Sequence, residues 1–176
     1  MLTFRRFVLV LTAGFASASA AQAFTLRSAE IAPGATIALP QVHARCGGRD
    51  VSPSLAWEGA PAGTRSYALV LFDPDARKGA GWWHWAVVDI PADVHALAAG
   101  AALPASAHAL RNSFGEANYG GPCPPQGDAP HHYVFTLYAL KVAHLDLRPD
   151  ADAQAAEPAI RAGAIASTTL TGRYGR

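Results

Sequence analysis

Apolar residues dominate three stretches of this chain, which read as strands whose side chains point to opposite faces in turn. "SYALVLF" (66–72), "WHWAVVDI" (83–90) and "HHYVFTLYAL" (131–140) are rich in β-branched and aromatic residues and are separated by proline and glycine clusters. They predict strands, mostly antiparallel. In the third, alternation places His131, Tyr133, Phe135, Leu137 and Ala139 on one face and His132, Val134, Thr136, Tyr138 and Leu140 on the other. In the second it sets His84, Ala86 and Val88 against Trp83, Trp85 and Val87. Both faces are apolar, so burial on both sides is expected. The pattern changes in "DADAQAAEPAIRAGAIA" (150–166), where alanine predicts one or two short helices. An interruption is expected near Pro158, because proline lacks the amide that an interior position donates. "STTLTGRY" then returns to strand character.

The N-terminus follows a different pattern. Arg5 and Arg6 precede an apolar run from Phe7 to Phe15, followed by Ala-x-Ala at Ala18–Ala20 and again at Ala21–Ala23. This predicts a secretory signal peptide cut after Ala23, leaving one domain over residues 24–176. The run is short for a bilayer, and no later run approaches the roughly 20 apolar residues of a membrane helix. A periplasmic or extracellular location is expected.

With 176 residues, 51% of them hydrophobic and 15% charged, the chain can bury a substantial core. Loss of residues 1–23 removes two of 14 basic side chains and none of 13 acidic ones, so the net charge becomes −1. Such a balance argues against a nucleic-acid partner. Cys46 and Cys123, an even pair bound for an oxidising compartment, are expected to form a disulfide closing 77 residues of chain.

Five phrases, in order along the chain, carry a resemblance: "CGGRDVSPSLAW" (46–57), "DPDA" (73–76), "GWWHW" (81–85), "NSFGEANYGGPCPPQGDAPHHYVFTLYAL" (112–140) and "LTGRYGR" (170–176). They resemble the phosphatidylethanolamine-binding protein (PEBP) family, in its bacterial, Raf-kinase-inhibitor-like branch. The resemblance implies a mainly β fold, a large antiparallel sheet packed on a smaller one with short C-terminal helices. It also implies a cofactor-free pocket that takes phosphate, a phospholipid head group or another phosphorylated ligand. Residue by residue, that pocket would be lined by Asp73, His84, His131 and Tyr133, with Gly121 and Cys123 closing one wall and Trp83 and Pro124 completing the rim. The chain departs from the family pattern at Arg77, His132 and Ser113, where proline, arginine and an acid are usual.

The chemistry of these residues fits such a site. Asp73 can accept a hydrogen bond from His84 or His131, orienting the ring and favouring its protonated form. The other ring N–H, the Tyr133 hydroxyl and the amides of "YGGPCPP" could then converge on one oxyanion, with Gly120 and Gly121 allowing close backbone approach. Without the resemblance, Asp-Pro-Asp reads first as a turn, the expected role of Asp75. Trp85 is expected to be pure core, and His43, His95, His108 and His144 are expected to be solvated.

Three function classes compete. A binding module is favoured. An enzyme could use the same two histidines, aspartate and tyrosine for acid/base hydrolysis, but the chain has no G-x-S-x-G motif. Within the binding class, inhibition of a protease or other enzyme would rest on surface loops. A metal site ranks last, although Asp73, His84 and His131 have the composition of a two-His, one-carboxylate centre.

Overall fold

The computed structural model describes residues 22–176. The leader expected over residues 1–23 lies outside the described residues apart from Gln22 and Ala23. Eight strands follow: β1 (Thr25–Arg27), β2 (Leu55–Glu58), β3 (Ser66–Asp73), β4 (Trp82–Pro91), β5 (Ala96–Leu97), β6 (His108–Ala109), β7 (His131–Leu140) and β8 (Ala164–Tyr174). A five-stranded antiparallel sheet has the order β6-β4-β3-β7-β8, and a smaller antiparallel sheet the order β1-β2-β5. No helix among the described residues is long and apolar enough to cross a membrane.

Two apolar layers account for the doubly apolar strands. On one face of the large sheet, Leu26, Leu55, Trp57 and Leu97 of the small sheet join Leu69, Leu71, Phe135 and Leu137 in a single core. On the other face, Ala153, Ala156 and Ile160 of a helix cover Ala68, Val70, Ala86, Val88 and Leu140. The large sheet is antiparallel yet sealed on both faces, which its sequence requires because neither side of β3 is polar enough to meet water.

That helix, Ala153–Gly163, runs without interruption through Pro158, contrary to the expected break. Pro158 and Gln154 are both exposed, so water can serve the Gln154 carbonyl that an amide at 158 would have met. Asp152 caps the start by accepting from the Ala155 amide at 2.8 Å. Residues 164–166, expected to be helical, open β8 instead: Ala164 is already extended, with φ −74° and ψ 136°.

Alternation holds along β7, but β4 breaks it twice. One extra residue, His84, falls between the pairs Leu71↔Trp85 and Phe72↔Trp83. A second falls between Leu69↔Val87 and Tyr67↔Ile90, where Asp89 has φ 57°. Each bulge reverses the side on which the residues beyond it fall. Trp83, expected beside Trp85 and Val87, therefore packs on the helix side with Ala86 and Val88, its ring 4.7 Å from that of Phe72. His84, expected beside Ala86 and Val88, lies edge-on to Tyr133, a member of the opposite core.

Candidate functional site

The site is assembled where β3 ends. Asp73 is its last residue, and Pro74, lacking an amide, begins the turn that follows. The Asp73 carboxylate is divided: Oδ1 accepts from the amides of Asp75 and Ala76, at 2.9 and 3.1 Å, while Oδ2 accepts from His131 Nδ1–H at 2.8 Å. His131 is the first residue of β7, the neighbour of β3, so sheet pairing alone brings acid and ring together. Both are buried, at 2% and 7% exposure.

The bulge in β4 supplies the second ring. His84 lies between Tyr133 and Phe114, with ring centroids 5.2 and 5.4 Å away, both edge-on. Its Nδ1–H donates to the Gly120 carbonyl at 2.8 Å, which fixes the tautomer and leaves Nε2 as an acceptor 4.0 Å from Asp73 Oδ2. Burial lowers the His84 pKa to about 4, outweighing the Gly120 carbonyl and the Asp73 charge, which pull it up. Of the two rings that Asp73 could have paired, it takes His131 as its hydrogen-bonded partner, and His84 is neutral near pH 7.

Tyr133 is fully buried, and its hydroxyl makes no well-formed hydrogen bond among the described residues, although the Asp73 carboxylate and the Cys123 backbone lie near enough to act on it. Burial first, then the Asp73 charge, pushes its pKa far up, so it remains a phenol with a hydrogen to donate. Asp73, His84, His131 and Tyr133 all open onto one cavity of about 380 Å³. Trp82, Phe114, Cys123 and Pro124 supply its walls, and exposed Asp75, Arg77, Lys78 and Asp128 its rim.

The wall containing Cys123 is fastened from behind. A disulfide joins Cys123 to Cys46, with the Cα atoms 5.6 Å apart. Tyr119 donates its hydroxyl hydrogen to the Gln41 carbonyl, and the Pro122 carbonyl accepts from the His43 amide. Gly121 does not line the cavity: a Cβ there would run into the Gln41 carbonyl, and its amide donates to Asp50 Oδ1 at 2.7 Å. The Gly120 amide donates to the His84 carbonyl at 3.0 Å. The two glycines thus serve wall packing, and neither amide is left to cradle an oxyanion as expected.

Other expectations also need revision. Trp83 faces away from the cavity, for the reason given by the bulge, and Trp82 takes the place on the wall. Asp75 does more than turn the chain: its Oδ2 accepts from both the amide and Nδ1–H of His132, at 2.7 and 2.8 Å. The His132 amide is the main cause that holds the Asp75 carboxyl below its ordinary value. His43 is not solvated, its side chain being 12% exposed and its ring 4.7 Å from that of Phe114. His95, His108 and His144 are exposed, and Trp85 is core.

Sequence reasoning missed Trp82, Lys78, Phe114 and Asp128 among the cavity residues. The doubled tryptophan was a usable signal for the first, since a strand entering on two large aromatics must bury them on opposite faces. Nothing in the periodicity marks Phe114 or Asp128, which stand in loops. Among the described residues no group of three or more His, Cys, Asp or Glu side chains is placed to hold a metal ion.

Comparison with known proteins follows the same lines. The family model described as phosphatidylethanolamine-binding protein matches residues 27–175. The Escherichia coli K12 protein YbcL is 41% identical over 162 residues, covering 88% of each chain. Its crystal structure, described as that of a new member of the mammalian PEBP family, superposes with a TM-score of 0.83 over 87% of this chain and 98% of that one, at 40% identity. CT736 from Chlamydia trachomatis, described as a PEBP homologue, gives a TM-score of 0.75 at 32% identity, covering 88% and 98% of the two chains. LppC of Mycobacterium tuberculosis, which is named as a lipoprotein, is 42% identical over 157 residues, covering 89% of this chain and 75% of that one. Two sheets in this order, a cavity where β3, β4 and β7 meet, and a match over nearly every described residue make this chain a member of the phosphatidylethanolamine-binding protein family.

Proposed function

We propose that this protein is an exported binding protein that holds a phosphoryl or similar oxyanion in the cavity formed by Asp73, His84, His131 and Tyr133. The observation that carries this reading is the Tyr133 hydroxyl, a donor in a fully buried residue that faces the cavity and makes no well-formed hydrogen bond among the described residues, with Asp73 and the Cys123 backbone its nearest polar neighbours. Leaving such a group unpaired costs about 1–3 kcal/mol. An acceptor oxygen from a ligand would recover that cost. His131, oriented through Nδ1 by Asp73, can present Nε2–H when protonated, and Trp82 and Phe114 keep water from weakening these bonds. The family name, in which the bound molecule carries a phosphoryl head group, supports the same chemistry. Export is supported by the Arg5–Ala23 pattern, by the bonded cysteines and by the lipoprotein name of LppC.

Calorimetric titration with inorganic phosphate and phosphoethanolamine tests the reading, with acetate and zinc as controls. Binding of the phosphorylated compounds that His131→Ala and Tyr133→Phe weaken at least tenfold is the expected result. Silence toward anions, or a response to zinc alone, would sink it.

The pH dependence has a definite sign. A bound oxyanion favours the imidazolium form of His84, whose pKa in the free protein is about 4. Binding then takes up a proton, so affinity for sulfate, whose own charge is constant here, rises as pH falls from 7 toward the free-protein value of about 4. An affinity for sulfate that stays flat over this range would remove His84 from the binding mechanism.

A further inference from the structure

We infer that Arg77 and Lys78 form a second anion subsite at the mouth of this cavity, so that its preferred ligand is a phosphorylated compound with a further negative group. The inference rests on the reading of the cavity as a phosphoryl site. It begins with backbone geometry. Arg77 (φ 53°, ψ 41°) and Lys78 (φ 59°, ψ 38°) are consecutive left-handed residues, a conformation that side chains other than glycine, asparagine and aspartate rarely adopt.

The turn holding them is closed by bonds from the Gly81 amide to the Ala76 carbonyl and from the Ala80 amide to the Arg77 carbonyl. Its first amides, those of Asp75 and Ala76, are bound by the same Asp73 carboxylate that orients His131. One acid therefore sets both the buried ring and the position of the two cations. The Arg77 guanidinium is further steadied over the ring of Trp82, 5.6 Å from its centroid.

Charge bookkeeping at the rim favours an anion on this side. The rim acids Asp75 and Asp128 face histidines, Asp75 at 2.8 Å from His132 Nδ1 and Asp128 at 3.8 Å from His131 Nε2. Among the described residues neither Arg77 nor Lys78 has a carboxylate within ion-pair distance, although both are exposed cavity residues. The indole N–H of the same Trp82 is buried and without a hydrogen-bond partner among the described residues. Apolar Trp82, Phe114 and Pro124 line the cavity that these cations flank, room for a short organic link between two anionic groups.

Phosphoglycolate and phosphoethanolamine share the phosphoryl group and differ at the far end, one carrying a carboxylate and the other an ammonium. Their affinities should be compared by calorimetry, with inorganic phosphate as reference, in the natural protein and in Arg77→Asn/Lys78→Asn. Asparagine tolerates the left-handed backbone, and a thermal melt checks that the variant folds. The natural protein is expected to prefer phosphoglycolate about tenfold, a gap that the double substitution and raised salt both close, while phosphate affinity in the variant stays within about twofold. Phosphate binding with no such preference, or a preference that survives both substitutions, overturns this inference alone. Absence of all phosphate binding overturns the reading of the cavity and this inference with it.

Discussion

Two aspartate–histidine pairs stand side by side where β3 meets β7, and they share one chemistry. In each, a carboxylate Oδ2 accepts from a ring Nδ1–H at 2.8 Å, and in each the histidine is one of the first two residues of β7. Strand alternation separates them. Asp73 and His131 turn inward, with side chains 3% and 9% exposed, whereas Asp75 and His132 turn outward at 42% and 47%. Inside, neither group can be replaced by water, so the pair is a fixed part of the cavity. Outside, water competes for both, and the pair secures the turn at a small net gain. Distance alone would rank the two as equals, and burial is what divides them.

The largest expected effect comes from breaking the inner pair. Asp73→Ala strands a buried imidazole and releases two turn amides, at a cost of about 3–5 kcal/mol. Urea denaturation measures it, and a loss below about 1 kcal/mol would show that the inner pair is as weakly held as the outer.

The next effect sharpens the role of burial. His84 has a pKa of about 4 in the folded protein against an ordinary value near 6.5. Between these values the unfolded chain binds the extra proton, so stability is complete above about pH 6.5 and is lost as pH falls toward 4. The loss is on the order of 3 kcal/mol for a shift of this size. His84→Gln should flatten that part of the stability–pH curve, and equal slopes in variant and natural protein would assign the acid sensitivity elsewhere.

The smallest effect belongs to the outer pair. Asp75→Ala or His132→Ala should cost under about 1 kcal/mol and leave phosphate affinity within about twofold. A larger loss of affinity would mean that the outer pair acts on the ligand through the turn it anchors.

The sequence makes one half of this contrast easy to read. Period-two alternation in "HHYVFTLYAL" separates His131 from His132 without any structure, and the apolar faces of β3, β4 and β7 imply cover on both sides. The same rule misplaces Trp83, because a bulge depends on how two strands pair and leaves no mark in the periodicity of either one. Gly121 shows a different gap: its missing side chain is needed by a segment about 80 residues earlier in the chain, so local turn chemistry assigns it to the ligand when it belongs to the wall. The neutrality of His84 was hidden for a third reason, since a neighbouring acid is visible in sequence while the depth of burial that outweighs it is not.

The two extra residues of β4 bear on how this strand can change over generations. Trp82 and Ile90 face the same side of the sheet, and between them Trp85 and Val87 face it at odd positions. The bulges act as paired frameshifts: the first changes the reading frame of inside and outside, and the second restores it. Losing either one would turn one end of the strand over and expel either the cavity wall or the core residue Ile90. Losing both would leave a regular strand with each end facing as before and His84 gone. A change of length inside this strand therefore costs the cavity a wall or its second histidine, whereas an exchange of residues leaves the frame in place.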